Sequence, residues 1–266
     1  MTYTTIETIA QGGVAWIWLN RPDVRNAMND VMISELNNAV ADAIADNTLG
    51  AIVLAGRGKA FCAGGDLSWM RRAKEMTPDE AKADSLKLAQ LLQCLYQSPK
   101  PTVARVHGSA FAGAMGLVAA CDIAIASDST KFCLSEVKLG LIPAMISPYV
   151  IRAMGERAAR RYFLSAEVFQ AAEAYRIGFI SDLCIEAELD EQIDRLLGHL
   201  LQGAPQALSE AKRLIRDVEG QPINEALAMQ TAQRIAAIRA GDEAQEGIAA
   251  FFEKRKPAWQ LPSSRS

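Results

Sequence analysis

Strand and helix signals alternate along residues 14–185, and this alternation leaves the chain few possible architectures. Residues 51–55 form a short, continuous apolar run closed by Gly56, which is typical of a strand buried on both faces of a sheet. Residues 102–106, rich in β-branched side chains, predict the next strand before Gly108. Strands that alternate with helices in this way predict an α/β fold.

Local signals mark the ends of several elements. Residues 4–9 and 14–19 are rich in β-branched and aromatic residues and flank a Gly-Gly turn, which predicts an antiparallel hairpin. Asn29 is a suitable N-cap for the helix that follows. Residues 77–80, Thr-Pro-Asp-Glu, combine an N-cap, a proline in the first turn and an acid three residues on, so a helix is predicted from there to Gln97.

The apolar segments also bear on location. The longest of them, residues 110–121, ends at Asp122 and is too short to cross ~30 Å of hydrocarbon, so we expect a buried helix over 112–121. Residues 1–11 carry no basic segment followed by an apolar one, so we expect no secretory signal and a cytoplasmic protein.

Beyond about residue 187, leucine and isoleucine recur at helical spacing, which predicts a helical C-terminal region.

Composition argues against several classes of function. The chain has 28 basic and 31 acidic residues, so it lacks the basic excess of a nucleic-acid-binding protein. Neither glycine fingerprint of nucleotide-binding folds is present. The only histidines, His107 and His199, lie in different kinds of segment, which argues against a Ser-His-Asp hydrolase and against a protein-held transition metal. Five cysteines without a C-x-x-C pair are expected to be reduced.

Two loops rich in small residues, 61–67 and 108–116, each lie where a predicted strand ends and a helix begins. The first N–H groups of a helix lack partners within it, and the helix dipole adds partial positive charge there. Small side chains allow a ligand carbonyl to approach such N–H groups, so two facing loops could bind an oxyanion. From spacing alone, close packing of helix on strand is the simpler interpretation of the same residues.

A single carboxylate, Glu136, lies among apolar residues in segment 135–143, after a predicted strand. If burial raises the pKa of this carboxyl group, it could donate and accept a proton near neutral pH. A paired or solvated glutamate is the alternative interpretation.

In their order and spacing, these segments resemble the enoyl-CoA hydratase/isomerase superfamily, the crotonases, over nearly the whole chain. The resemblance implies a spiral of ββα repeats in residues 1–195 that holds an acyl-CoA site, and a helical trimerisation region in residues 196–266. It implies a homotrimer or a hexamer built as a dimer of trimers. The supporting motifs are Asn20-Arg21-Pro22, Asn26-Ala27, Phe61 to Leu67, Ala120-Cys121-Asp122, Gly140 to Pro143 and Phe251 to Pro257.

The resemblance also implies roles for individual residues. The backbone N–H groups of Gly65 and Gly113 match the oxyanion hole that binds the thioester oxygen, and Glu136 matches a catalytic carboxylate. No metal or redox cofactor is implied, since CoA enters as part of the substrate. The positions that match contacts to the CoA moiety are Arg25, Ala63 and Lys254.

One departure from the family pattern concerns the reaction. Hydratases of the best-known type carry two glutamates, and this chain has Gly116 at the first of the two positions. Of the two positions, only the second carries a glutamate in this chain, and that residue is Glu136. A single carboxylate at that place also resembles the 3-enoyl to 2-enoyl-CoA isomerases, so isomerase is an alternative function. A thioesterase and a non-catalytic acyl-CoA-binding module are further alternatives.

A more detailed likeness points to the branched glutaconyl-CoA hydratases of leucine and acyclic-terpene breakdown. It rests on residues 66–70, 114–122 and 135–150, and residues 146–150 (Ile-Ser-Pro-Tyr-Val) discriminate best. The resemblance therefore predicts hydration of 3-methylglutaconyl-CoA or isohexenylglutaconyl-CoA. The cations available to meet the distal carboxylate of such a substrate are Arg71, Arg72, Lys74 and Lys138.

Overall fold

The computed structural model describes residues 3–72 and 75–260, which contain two sheets and ten α-helices. The strands are β1 (Ile6–Gln11), β2 (Val14–Leu19), β3 (Ala51–Gly56), β4 (Thr102–Val106), β5 (Ser109–Phe111), β6 (Ile123–Ser127), β7 (Lys131–Cys133), β8 (Phe169–Gln170) and β9 (Asp182–Cys184). The helices are α1 (Asp30–Ala45), α2 (Leu67–Arg72), α3 (Pro78–Gln97), α4 (Gly113–Ala120), α5 (Ser147–Ser165), α6 (Ala171–Arg176), α7 (Leu189–Leu200), α8 (Pro205–Val218), α9 (Glu225–Ala240) and α10 (Asp242–Phe252).

The larger sheet has six strands in the order β1-β2-β3-β4-β6-β9. β1 and β2 form the predicted antiparallel hairpin, although β1 begins at Ile6 rather than at residue 4. All other neighbours in this sheet run parallel. Because parallel strands need crossover connections, helices lie between them in the chain, as the alternation of signals predicted.

Both faces of the larger sheet are covered. On one face, Ile52 and Leu54 of β3 belong to the main core, which also holds buried residues of α1, α3 and α4. On the other face, Ala51 and Val53 pack with the buried side chains of α7, which are Leu189, Ile193 and Leu197. The prediction of a strand buried on both faces is therefore confirmed.

The remaining strands form a second sheet of three short strands, in the order β5-β7-β8. Within the apolar stretch at 110–121, α4 runs from Gly113 to Ala120, within one residue of the predicted helix 112–121 at each end. The strand β5, which includes Ala110 and Phe111, was not predicted, because a continuous apolar run has neither the helical nor the strand period. β5 and β7 run parallel, and this pairing positions the candidate site.

The predicted helix caps are confirmed. The side chain of Asn29 accepts a hydrogen bond from the N–H of Met32 at 2.9 Å. Thr77 and Glu80 form a reciprocal capping box at the start of α3, which ends at Gln97 as predicted. All five cysteines lie within the described residues and are free thiols.

The C-terminal region is helical, with α8, α9 and α10 following α7. The predicted boundary at 195/196 remains a prediction, and α7, whose apolar side packs on the larger sheet, runs across it. α8 is joined to the core where Lys212 Nζ lies 2.6 Å from a carboxylate oxygen of Asp122. In residues 3–72 and 75–260, no helix combines the length and the apolar character that a bilayer crossing requires.

Candidate active site

Three chain segments run side by side at the candidate site. Cys62 pairs with Ala110 in a parallel bridge, and Ala110 pairs with Phe132 in the parallel β5·β7 ladder. The N–H of Cys62 donates to the carbonyl of Ser109 at 3.0 Å, and the N–H of Phe111 donates to the carbonyl of Cys62 at 3.1 Å. Three residues thus lie side by side across the three parallel segments: Cys62, Ala110 and Phe132. We call these three residues the row.

The row brings the sequence-predicted residues to one edge. Gly65 and Gly113 each follow their row residue by three positions, and Glu136 follows by four. Because the three segments run in the same direction, all three leave the row at the same edge. The structure therefore places the two glycine loops and the carboxylate together, although they are far apart in the sequence.

The first glycine loop is held against the turn before α1. The N–H of Met28 donates to the carbonyl of Gly64 at 2.7 Å, and the N–H of Asp66 donates to the carbonyl of Met28 at 2.8 Å. These bonds flank Gly65, whose own N–H has no hydrogen-bond partner among the described residues. Gly64 has φ +99°, and a Cβ there would lie 3.0 Å from the carbonyl oxygen of Phe111, so a glycine is required.

Asp66 anchors the residue that follows Gly65. Its carboxylate accepts hydrogen bonds from the side chain and N–H of Ser68 at the start of α2, and it lies 2.8 Å from Arg21 Nη1. The hydrogen bond from the Ser68 side chain, with the bond from Arg21, lowers the pKa of Asp66 to about 2 despite burial. The carboxylate is therefore charged at neutral pH, and the loop is pinned on both sides of Gly65.

The second glycine loop joins β5 to α4. The N–H of Ala112 donates to the carbonyl of Cys133, the last residue of β7, at 2.8 Å. The N–H of Gly113, at the first position of α4, has no hydrogen-bond partner within the described residues. A Cβ on Gly113 would lie 2.6 Å from Met28 Cε. Two N–H groups, those of Gly65 and Gly113, are thus available to an oxygen atom at this edge.

Glu136 lies in the short 3₁₀ helix Glu136–Leu139, directly after β7. Its Oε2 atom is buried and has no hydrogen-bond partner among the described residues. Burial raises the pKa of this carboxyl group, and a hydrogen bond with its own backbone only partly opposes the rise. A carboxyl group with one buried, unsatisfied oxygen and a raised pKa is suited to accept and return a proton.

The place of the missing second glutamate is filled. A Cβ on Gly116 of α4 would lie 2.2 Å from Ile146 Cγ2 and 2.8 Å from Ile146 Cβ. Ile146 is 2% exposed and Leu92, at 3.4 Å from the same point, is fully buried. The absence of a side chain at 116 is therefore matched by an apolar side chain from the segment before α5, a contact that the sequence did not reveal.

The side chain of His107 is engaged in the fold. It is buried, and its Nε2 atom lies 2.9 Å from the carbonyl oxygen of Gly58. The histidine therefore joins the end of β4 to the loop that precedes the first glycine loop.

These elements agree with the comparison with known families. The family model for enoyl-CoA hydratase/isomerase matches residues 9–262. The chain belongs to this family. It is 36% identical over 249 residues to a Thermus thermophilus protein assigned to the enoyl-CoA hydratases, and the match covers 94% of this chain and 98% of that one.

Solved structures of the enoyl-CoA hydratase/isomerase family have the same fold. An enoyl-CoA hydratase from Shewanella pealeana shares 44% identity with a TM-score of 0.93, over 96% of each chain. A Legionella pneumophila protein assigned to enoyl-CoA hydratase/isomerase (crotonase) shares 43% identity with a TM-score of 0.93, over 97% of this chain and 100% of that one. The predicted crotonase-type α/β fold is confirmed, and so is the prediction of an enzyme of this family.

In this enoyl-CoA hydratase/isomerase chain, two of the three residues predicted to contact CoA lie together. The N–H of Ala63 donates to the carbonyl of Arg25 at 2.9 Å, so the Arg25 turn lies against the first glycine loop. The Arg25 side chain is exposed. Lys254 is exposed after α10, and no hydrogen bond or ion pair within the described part of the chain joins it to the glycine loops.

The sequence predicted no role for Asn26 in holding the first glycine loop. It is fully buried, and its side-chain oxygen accepts from the N–H of Arg21 at 2.8 Å. Its amide nitrogen donates to the carbonyls of Arg57 and Ala60, each at 2.8 Å. Asn26 therefore ties the Arg25 turn to the loop that leads into the first glycine loop. In the sequence, Asn26 counted only as part of a motif that supports the family resemblance, and the pattern predicted no hydrogen bonds for it.

The cations predicted to meet a distal carboxylate differ in their availability. Two of them are already engaged. Arg72 Nη2 lies 2.8 Å from Asp30 Oδ1, and Lys138 Nζ donates to the carbonyl of Ala166 at 2.6 Å. Lys74 lies outside the described residues. Arg71 is exposed at the end of α2, and no ion pair involves it in residues 3–72 and 75–260.

Proposed function

We propose that the chain adds water across the 2,3 double bond of a 3-branched glutaconyl-CoA, either 3-methylglutaconyl-CoA or isohexenylglutaconyl-CoA. The observation that carries this proposal is the buried Oε2 of Glu136, which has no partner among the described residues and lies at the edge where two N–H groups also lack partners there. The sequence likeness of residues 146–150 supports the branched glutaconyl substrate, and the contact of Ile146 with Gly116 belongs to that same segment.

The proposed reaction assigns one role to each group. The N–H groups of Gly65 and Gly113 bind the thioester oxygen, which draws electrons from the β-carbon. Glu136 takes a proton from water as the water oxygen bonds to the β-carbon, and the resulting enolate is held by the two N–H groups. Glu136 then returns the proton to the α-carbon. Losing one preorganised donor to such an oxyanion typically costs about 3–4 kcal/mol of barrier.

We propose that Arg25, beside Ala63 on the first glycine loop, contacts the phosphates of CoA, and that Lys254 does so from the C-terminal region. The exposure of both side chains supports the proposal. The proposed reaction uses no metal and no redox cofactor.

Isomerisation of 3-enoyl-CoA to 2-enoyl-CoA is a second candidate function, because Ile146 occupies the place of a second carboxylate. In that reaction Glu136 removes a proton from the α-carbon and delivers it to the γ-carbon, so one carboxylate suffices.

The test is the change in enoyl-thioester absorbance when the enzyme is mixed separately with four substrates. They are 3-methylglutaconyl-CoA, isohexenylglutaconyl-CoA, crotonyl-CoA and a 3-enoyl-CoA. We expect absorbance to fall with a branched glutaconyl-CoA, faster than with crotonyl-CoA. A rise with the 3-enoyl-CoA and no hydration of any substrate would instead identify an isomerase, and release of free CoA thiol would identify a thioesterase.

We also propose that the C-terminal helices contact further copies of the chain in a trimer or hexamer. In these helices and in the connection between α8 and α9, several large apolar side chains are mostly exposed in the single chain: Ile223 98%, Phe251 79%, Phe252 77%, Met229 67% and Ile215 67%. Exposed apolar surface of this kind is typical of an interface.

Light scattering should give at least three times the mass of one chain. The double variant F251E/F252E should have a lower mass in solution and an unchanged helix content. A monomeric wild-type protein would refute the proposal.

A further inference from the structure

Ala112 has an unusual backbone conformation, with φ 50° and ψ −122°. Residues with a Cβ rarely adopt a positive φ, and those that do are often held there at functional sites. Two hydrogen bonds hold Ala112: its N–H donates to the carbonyl of Cys133 at 2.8 Å, and its carbonyl accepts from the N–H of Met115 at 2.9 Å.

The same residue contacts the segments that carry all three parts of the candidate site. Its carbonyl carbon is bonded to the nitrogen of Gly113, so its conformation directs that N–H. Its methyl group lies 3.2 Å from the point where a Cβ on Gly64 would be, so it packs against the residue next to Gly65. Its N–H is bound to the last residue of β7, from which the chain continues to Glu136.

We propose that Ala112 is a positioning residue whose methyl group sets the separation of the Gly65 and Gly113 N–H groups, an inference that rests on the proposed oxyanion-binding function. The methyl group is a spacer between the two loops, and the strained backbone aims the Gly113 N–H at the shared oxygen. A glycine at 112 relaxes the backbone and removes the spacer at the same time. Stability and activity should then change independently.

The first test is Ala112→Gly. We expect a melting temperature no lower than that of the wild type, a kcat about tenfold lower and a KM within twofold, because misplaced groups cost rate more than binding. Ala112→Ser, which keeps a Cβ, should retain the wild-type kcat. Ala166→Gly is the matched control: Ala166 also has a positive φ, 47°, at the end of α5, and its replacement should leave kcat unchanged.

A second readout does not depend on which substrate is hydrated. Bound acetoacetyl-CoA absorbs in the near ultraviolet as its enolate, so the pH midpoint of enolate formation reports stabilisation by the two N–H groups. Ala112→Gly should raise that midpoint by about one pH unit, equivalent to tenfold. If the wild type fails to hydrate glutaconyl-CoA yet binds the enolate, only the substrate assignment fails.

Three outcomes would overturn the role of Ala112. One is a glycine variant with wild-type kcat and enolate midpoint. Another is a variant that loses stability and activity together, since that indicates a purely structural role. The third is a wild-type protein that shows no enolate of acetoacetyl-CoA at any pH.

Discussion

Glu136→Gln is expected to lower kcat by roughly 10²–10⁴-fold, the usual contribution of a general acid and base. The glutamine keeps the size of the side chain but cannot take a proton from water or return it to carbon. Binding of the acyl-CoA should persist, because the Gly65 and Gly113 N–H groups are unchanged. Steady-state kinetics and titration with a non-reactive acyl-CoA check the two parts separately.

The same variant should be more stable than the wild type at neutral pH. Burial raises the pKa of Glu136 in the folded chain, and its Oε2 lacks a partner among the described residues, so the ionised form is penalised. Wild-type stability therefore falls as pH rises from the ordinary glutamate pKa through the raised one, and it stays reduced above. The gain comes from removing the charge, because the carboxamide of glutamine is neutral at every pH.

Melting curves as a function of pH measure this gain, which should vanish below the ordinary glutamate pKa. Glu188→Gln, at an exposed position before α7, is the control and should show no such dependence. A Glu136→Gln variant that is active, or that is less stable than the wild type at neutral pH, contradicts the assignment.

Gly116→Ala is expected to destabilise the fold by about 1–3 kcal/mol, the usual cost of overpacking. The added Cβ would lie 2.2 Å from Ile146 Cγ2, and both residues are buried. Gly116→Glu should not fold, because it adds a carboxylate to the same apolar contact. Urea unfolding measured by circular dichroism gives the free energies.

Ile146→Ala supplies the companion variant, because it removes the atom that the new Cβ meets. The double variant should be less destabilised than the sum of the two single variants, which indicates direct contact. Gly198→Ala is the matched control: this glycine also lies in a helix, α7, but its Cβ would meet nothing within 4 Å, so alanine should stabilise by up to about 1 kcal/mol. Strict additivity, or a Gly116→Ala variant as stable as the wild type, would show that the contact is absent.

Elements with local signals were predictable from the sequence. The caps at Asn29 and Thr77 and the doubly buried strand β3 each depend on residues close together in the chain. The strand before Glu136 was predicted and is β7, but the second sheet as a whole was not, because β5 has three residues and lies within a continuous apolar stretch. Its strands are specified by pairing with distant segments, and single-sequence patterns do not carry that information.

The candidate site was predictable only in part for the same reason. The two glycine loops and Glu136 were singled out by their sequence patterns, and the resemblance selected Gly65 and Gly113 within the loops. The structure brings the three residues to one edge through the pairing of the row. The departure at Gly116 was visible in the sequence. Its partner Ile146 was not, because the contact joins residues thirty positions apart. The hydrogen bonds of the buried Asn26 side chain were not predicted either, because one of them joins it to the distant Arg57.

The row of Cys62, Ala110 and Phe132 also affects when the site forms during folding. Helices α1 and α3 carry their own capping signals, so they can form from local interactions. The row requires three distant segments to meet, and closing such loops costs chain entropy and slows folding. We therefore expect the edge that carries the candidate site to form late in folding. A chain that has made its helices but not the row has secondary structure and no place for a thioester oxygen.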